Sequence, residues 1–156
     1  GALWDIGPYA IHTIRHCFKE NPKRVKALAK LNEHGADIST SGLIDFGNDK
    51  RATFDISFEC TRRSEFEAFG ALGRVKCPIV WQPEDKQAKI IINTESSGLT
   101  EEVVPAANHF VLEINHFNKV VSSDIGLKLS NEDALWNART LKSIEQSIKA
   151  DGWVNL

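Results

Sequence analysis

Asp5, Tyr9, His12 and His16 stand near the start of the chain at spacings of four, three and four. On a helix such spacings gather all of them on one stripe, because residues three and four apart are neighbours on the helix surface. A carboxylate, a phenol and two imidazoles aligned in this way could move protons or bind substrate hydroxyls. A phenol titrates near ~10, so it suits proton donation to a carbonyl; a neighbouring cation is needed before it serves as a base at neutral pH. Two histidines one turn apart could also bind zinc, but no third ligand accompanies them and no metal is expected. Each residue has a plainer use as well. Asp5 could cap a helix, Tyr9 could pack with its hydroxyl on a carbonyl, and the histidines could be solvated.

The spacing predicts a helix from about Asp5 to Phe18, with Asp5 as its cap and Pro8 in the first turn, where a missing N–H costs little. Ile6, Ala10, Ile14 and Cys17 form its expected core stripe, widened by Ile11 and Phe18. Asn21-Pro22 stops it, since the residue before proline avoids helical geometry. Strand patterns follow. Val25, Ala27, Ala29 and Leu31 alternate, and a hairpin is expected to turn at Gly47–Lys50. In its second arm Ala52, Phe54, Ile56 and Phe58 oppose Thr53, Asp55, Ser57 and Glu59, the pattern of a sheet covered on one side. Two strands flank Gly70–Gly73, and another runs from Ala88 to Asn93, with a further one possible at Glu101–Pro105.

The period then changes. Phe110, Ile114, Phe117 and Val121 recur at helical spacing. A long final helix opens at Ser130, with Asp133 in near capping-box position, and is expected to bury Leu135, Ala138, Leu141, Ile144 and Ile148 before ending at Gly152. Helix, strands, then helices make an α+β fold: a largely antiparallel open sheet with helices packed on one face.

The composition agrees with one globular domain. The 156 residues are 42% hydrophobic and 26% charged, with a net charge of -2 and no basic tract, so neither a nucleic-acid surface nor a membrane span is expected. Cys17, Cys60 and Cys77 are far apart and show no metal-ligand spacing. They fit a reducing compartment, and a cytoplasmic location is expected. With Gly-Ala-Leu-Trp at its start and no methionine anywhere, the chain reads as a piece of a longer polypeptide.

The opening segment, with Gly1, Asp5, Gly7, Tyr9 and Arg15, resembles the start of the C-terminal domain in the glucose–fructose oxidoreductase, inositol dehydrogenase and rhizopine catabolism (Gfo/Idh/MocA) family. EFEAFGALGRVKC resembles that family's strand–Gly-x-x-Gly–strand stretch, VLEINHFNKVV its Glu-x-x-x-Phe helix, and SNEDALWNARTLKSIEQS its closing Glu-Asp-Ala helix. The resemblance covers nearly the whole chain in order.

It implies a dihydrodipicolinate-reductase-like C-terminal domain over residues 1–156, serving substrate binding and oligomerisation. The dinucleotide-binding domain would lie outside this chain, which has no Gly-x-Gly-x-x-Gly after a first strand. By the same resemblance the full protein would be an NAD(P)-dependent oxidoreductase acting by hydride transfer on a sugar, polyol or cyclic diol. Tyr9 occupies the position of the family's acid/base group, beside a lysine from the other domain. Asp5 would hold a substrate hydroxyl or that lysine, and His12 a second hydroxyl. Arg15 would have a structural or interface role. NAD or NADP would be bound mainly by the other domain, with no cofactor-binding residue here, so the isolated fragment would be inactive. A homodimer or homotetramer would form through the open sheet face. The alternatives are a non-catalytic relative, such as a transcriptional regulator, and a free-standing dimerisation module. Asp5 and Tyr9 together favour the enzyme.

Overall fold

The computed structural model describes residues 1–81, 87–122 and 125–156. The elements are α1 (Ala2–Asp5), α2 (Gly7–Phe18), β1 (Arg24–Leu31), β2 (Asp37–Gly47), β3 (Lys50–Ser57), β4 (Phe66–Gly70), β5 (Gly73–Cys77), β6 (Ala88–Thr94), β7 (Gly98–Val104), α3 (His109–Val121), α4 (Asn131–Ala150) and β8 (Val154–Asn155). They fall into two compact units, one made of Gly1–Cys60 with Leu129–Leu156, the other of Thr61–Lys128. The α+β class and the antiparallel pairing are as expected. The strands nevertheless divide into two four-stranded sheets, ordered β3-β2-β1-β8 and β4-β5-β6-β7.

In the first unit the alternation of β3 does what a period of two dictates. Phe54 and Ile56 turn inward while Thr53 and Asp55 turn outward. Register carries the same face across the sheet, pairing Val25 with Ile44, Ala27 with Gly42 and Gly42 with Phe54. Leu3, Ile11, Ile14, Leu141 and Ile144 close over that face with Phe46, so the helices cover one side of the sheet. The other side carries Leu28 and Leu43 among Lys26, Thr53 and Asp55.

The β2–β3 hairpin turns at Asn48-Asp49, both left-handed (φ 50 and 61), as a two-residue turn matched to strand twist requires. The Gly47 N–H donates to Asp45 Oδ1 at 2.8 Å. That bond, and then Arg24 beside it, hold the Asp45 carboxyl below its ordinary range. Gly42 is needed for close approach: a Cβ there would lie 2.7 Å from the Lys26 carbonyl oxygen and 2.8 Å from the Phe54 ring.

Strand β8 pairs with β1 only at Arg24 and Val25. Beyond it the Ala27 N–H donates to Ser147 Oγ at 3.0 Å, and that hydroxyl donates to the Gly152 carbonyl at 2.5 Å. Helix α4 therefore presents Thr140, Ser143 and Ser147 to the interior beside Leu141 and Ile144. This corrects the expected stripe: Leu135 and Ala138 are exposed and Ile148 only half-buried. The left-handed residue that ends α4 is Asp151 (φ 48), not Gly152. Ser130 caps the other end, its side chain accepting from the Asp133 N–H.

The second unit is an antiparallel meander with α3 following it. Strands β4 and β5 turn at Gly70–Gly73, as the spacing predicts. Phe110, Ile114, Phe117 and Val121 on α3 are all exposed.

Candidate active site

Helix α2 is seated by Gly7, Ile11 and Ile14, all buried. At Gly7 an added Cβ would press on Leu3, Ile56 and Leu141 at 3.2–3.3 Å, so the missing side chain lets the helix start lie close against the core. Cys17, expected in the stripe, is exposed; the buried line runs through Leu3, Gly7, Ile11 and Ile14 instead.

The helix is not continuous from Asp5, and Asp5 is not its cap. Asp5 ends α1, and α2 begins after Ile6 with no side-chain cap. Pro8 accounts for the break, since it offers no N–H to the carbonyl four residues back and its ring crowds that carbonyl. Ile6 stays in the right-handed region (φ -105, ψ -18), so the chain keeps its helical sense across the break. The free end of α1 is held from β2, where Asp37 Oδ2 accepts from the Leu3 N–H at 2.7 Å and from Thr40 Oγ1 at 3.0 Å.

Opposite the buried line, Asp5 and His16 are exposed and Tyr9 is 57% exposed. The His12 and His16 rings stack with centroids 6.0 Å apart and planes inclined by 24°. His12 is more enclosed, its side chain 35% exposed, and its Nδ1 lies 3.3 Å from Asp133 Oδ2.

Asp133 belongs to the first turn of α4 and is the residue that sequence reasoning missed. Its only local signal was the capping position, and the partners that matter are more than a hundred residues away. Arg15, 5% exposed, donates from Nη1 to the Asp133 carbonyl at 3.0 Å and from Nη2 to Asp133 Oδ1 at 2.9 Å. Its Nε and Nη2 also donate to Asn21 Oδ1, at 3.3 and 3.0 Å. Arg15 thus joins α2, the turn after it and the start of α4, which is a structural role. A second tie runs from Asn137 Nδ2 to the Pro8 carbonyl at 3.2 Å. The outward stripe is therefore carried on a helix fixed from behind along its length.

Among the described residues no group of three or more histidine, cysteine or acidic side chains could hold a metal ion. Nor do the glycines of FGALGRVK cradle a pyrophosphate. They form a hairpin tip, with Gly70 paired to Gly73, whereas such a cradle opens a helix after a strand. No helix among the described residues is long and apolar enough to cross a membrane.

Residues 1–76 match the sequence profile of the GFO/IDH/MocA C-terminal domain. The chain is 28% identical to an uncharacterized oxidoreductase of Rhizobium meliloti over 160 aligned residues, covering 98% of this chain and 48% of that protein. It is 24% identical to the trans-1,2-dihydrobenzene-1,2-diol dehydrogenase of Mus musculus, covering 97% of this chain and 46% of the enzyme. Among solved structures, a 3-ketoreductase from Actinomadura kijaniata in complex with TDP-benzene and NADP superposes with a TM-score of 0.85 at 22% identity, over 94% of this chain and 47% of that one. The chain spans about half the length of the curated relatives it matches.

Proposed function

We propose that the chain, whose residues 1–76 match the GFO/IDH/MocA C-terminal domain, is the substrate-binding half of an NAD(P)-dependent oxidoreductase acting on a sugar, polyol or cyclic diol. The observation that carries this reading is the exposed Tyr9 phenol on the firmly seated α2, four residues after the exposed Asp5 at the end of α1. The diol dehydrogenase and the NADP-bound ketoreductase among the relatives support the substrate and cofactor classes.

NAD or NADP, held mainly by residues outside this chain, supplies the hydride chemistry when bound. The residues here handle the proton and the hydroxyls. In the reductive direction Tyr9 gives its phenolic proton to the substrate oxygen as the carbonyl becomes an alcohol; in the oxidative direction its phenolate takes the proton back. A lysine from the companion domain, placed beside Tyr9, would favour that phenolate. Asp5 accepts a hydrogen bond from a substrate hydroxyl or from that lysine, and His12 meets a second hydroxyl. These 156 residues alone are expected neither to bind nicotinamide nor to turn over substrate. The protein would act in the cytoplasm and pair with its own copy through the open face of β1–β3, where the exposed Leu28 and Leu43 sit among polar neighbours.

The test is Tyr9→Phe in the full polypeptide that contains this chain. Loss of the proton donor should lower kcat by ~10²–10⁴-fold, with cofactor affinity unchanged. A Phe variant with full turnover would remove Tyr9 from the chemistry and leave only the fold assignment.

A further inference from the structure

We infer that Asp133 is a positioning residue for His12: the carboxylate, pinned by Arg15, fixes the imidazole with its protonated Nδ1 turned inward and its Nε2 outward as a hydrogen-bond acceptor. Its use in catalysis rests on the reading above that His12 meets a substrate hydroxyl.

The inference follows from how few ways these groups can satisfy one another. Arg15 is buried and spends its donors on fixed partners, so it cannot follow a moving carboxylate. It grips Asp133 twice, at the backbone carbonyl and at Oδ1. Ser130 holds the same residue through its N–H at 3.1 Å. With the backbone and one carboxylate oxygen fixed, Oδ2 has a fixed place too, and His12 Nδ1 lies 3.3 Å from it. An ionised carboxylate only accepts hydrogen bonds, so a neutral imidazole facing it keeps its proton on that nitrogen and carries a lone pair on the other. The His16 ring, stacked on His12, restricts rotation from the outer side. The outward Nε2 is then suited to accept from a hydroxyl of a polyhydroxylated substrate one turn along the helix from Tyr9.

The test exploits an isosteric change. In Asp133→Asn the amide oxygen can go on accepting from Arg15 Nη2, while the amide nitrogen replaces Oδ2 opposite His12. That nitrogen donates, so His12 Nδ1 becomes the acceptor and the ring proton moves to Nε2. The imidazole ¹⁵N shifts of the full polypeptide, followed with rising pH until they no longer change, should report Nδ1–H in the parent and Nε2–H in Asp133→Asn. His12→Gln assigns the signal, and Asp133→Glu, which keeps a carboxylate, should restore the parent tautomer.

KM for the carbohydrate or diol should rise about tenfold in Asp133→Asn, the loss of roughly one hydrogen bond, with kcat and cofactor affinity little changed. A parent spectrum showing Nε2–H overturns the inference without any variant. So does an Asp133→Asn spectrum identical to the parent. A tautomer switch with unchanged KM upholds the positioning by Asp133 and ends the role of His12 at the substrate.

Discussion

Ser147→Ala removes a single oxygen, and the structure says what that costs. Strand β8 covers β1 only as far as Val25. The next inward-facing residue, Ala27, sends its N–H to Ser147 Oγ at 3.0 Å, and both residues are buried. Without the hydroxyl that buried N–H loses its acceptor, so the penalty of a buried unsatisfied donor applies, about 1–3 kcal/mol. The Gly152 carbonyl loses its donor as well, but Gly152 is only half-buried and the carbonyl can turn to solvent. The effect is local, so amide hydrogen exchange is the appropriate assay. The Ala27 amide should exchange about 5- to 150-fold faster in Ser147→Ala, the equivalent of 1–3 kcal/mol. Amides of Leu43 and Thr53 on the far strands should change much less. Unchanged exchange at Ala27 would show that the Ser147 hydroxyl is not what satisfies this edge and would refute the reasoning.

Gly42→Ala should destabilise by about 1–3 kcal/mol, because backbone and ring atoms at the centre of the sheet must shift to admit the methyl; a lowered melting temperature reports it. Glu145 offers a pH test. Hydrogen bonds from Lys149 and then Lys142 hold its carboxyl at about 2, below the ordinary 4.5. A lowered folded value means that the stabilisation is complete above about pH 4.5 and fades as the pH falls towards 2. The lysines are well exposed, so Glu145→Gln should cost only about 0.3–1 kcal/mol at pH 7 and progressively less as the pH falls through about 2. Urea titrations at the two pH values measure the difference.

Where one local period governed, the sequence was legible. Phe54 and Ile56 against Thr53 and Asp55 needed only the pleat, and Asn48-Asp49 between two strands needed only the hairpin rule. The spacing within α2 likewise sets Tyr9 and His16 outward, a geometric outcome that leaves their chemistry to be tested, whereas Asp5 is exposed on α1, before a break the spacing did not announce. Hydrophobic counting failed where polar groups are buried for a reason. Thr140, Ser143 and Ser147 line the inner side of α4 while Leu135 stays outside; Ser147 is inside because its hydroxyl closes a sheet edge that no leucine could satisfy. Arg15 is nearly inaccessible for a similar reason, its charge matched by Asp133. The Asp133–His12 contact joins residues with no sequence signal linking them, and nothing in the strand pattern marks the division into two sheets.

The first unit is assembled from both ends of the chain, with Val25 joined to Val154 and α4 laid over a sheet made of residues 24–57. Residues 24–57 leave the ribosome before α4 does and must wait for it. At ~5–20 residues per second, the delay between Cys60 and Leu156 is roughly 5–20 s. During that interval the apolar underside of β1–β3 and its unpaired border are open to any passing strand or chaperone. Translation speed through the intervening segment therefore sets how long the nascent chain remains vulnerable to misassembly.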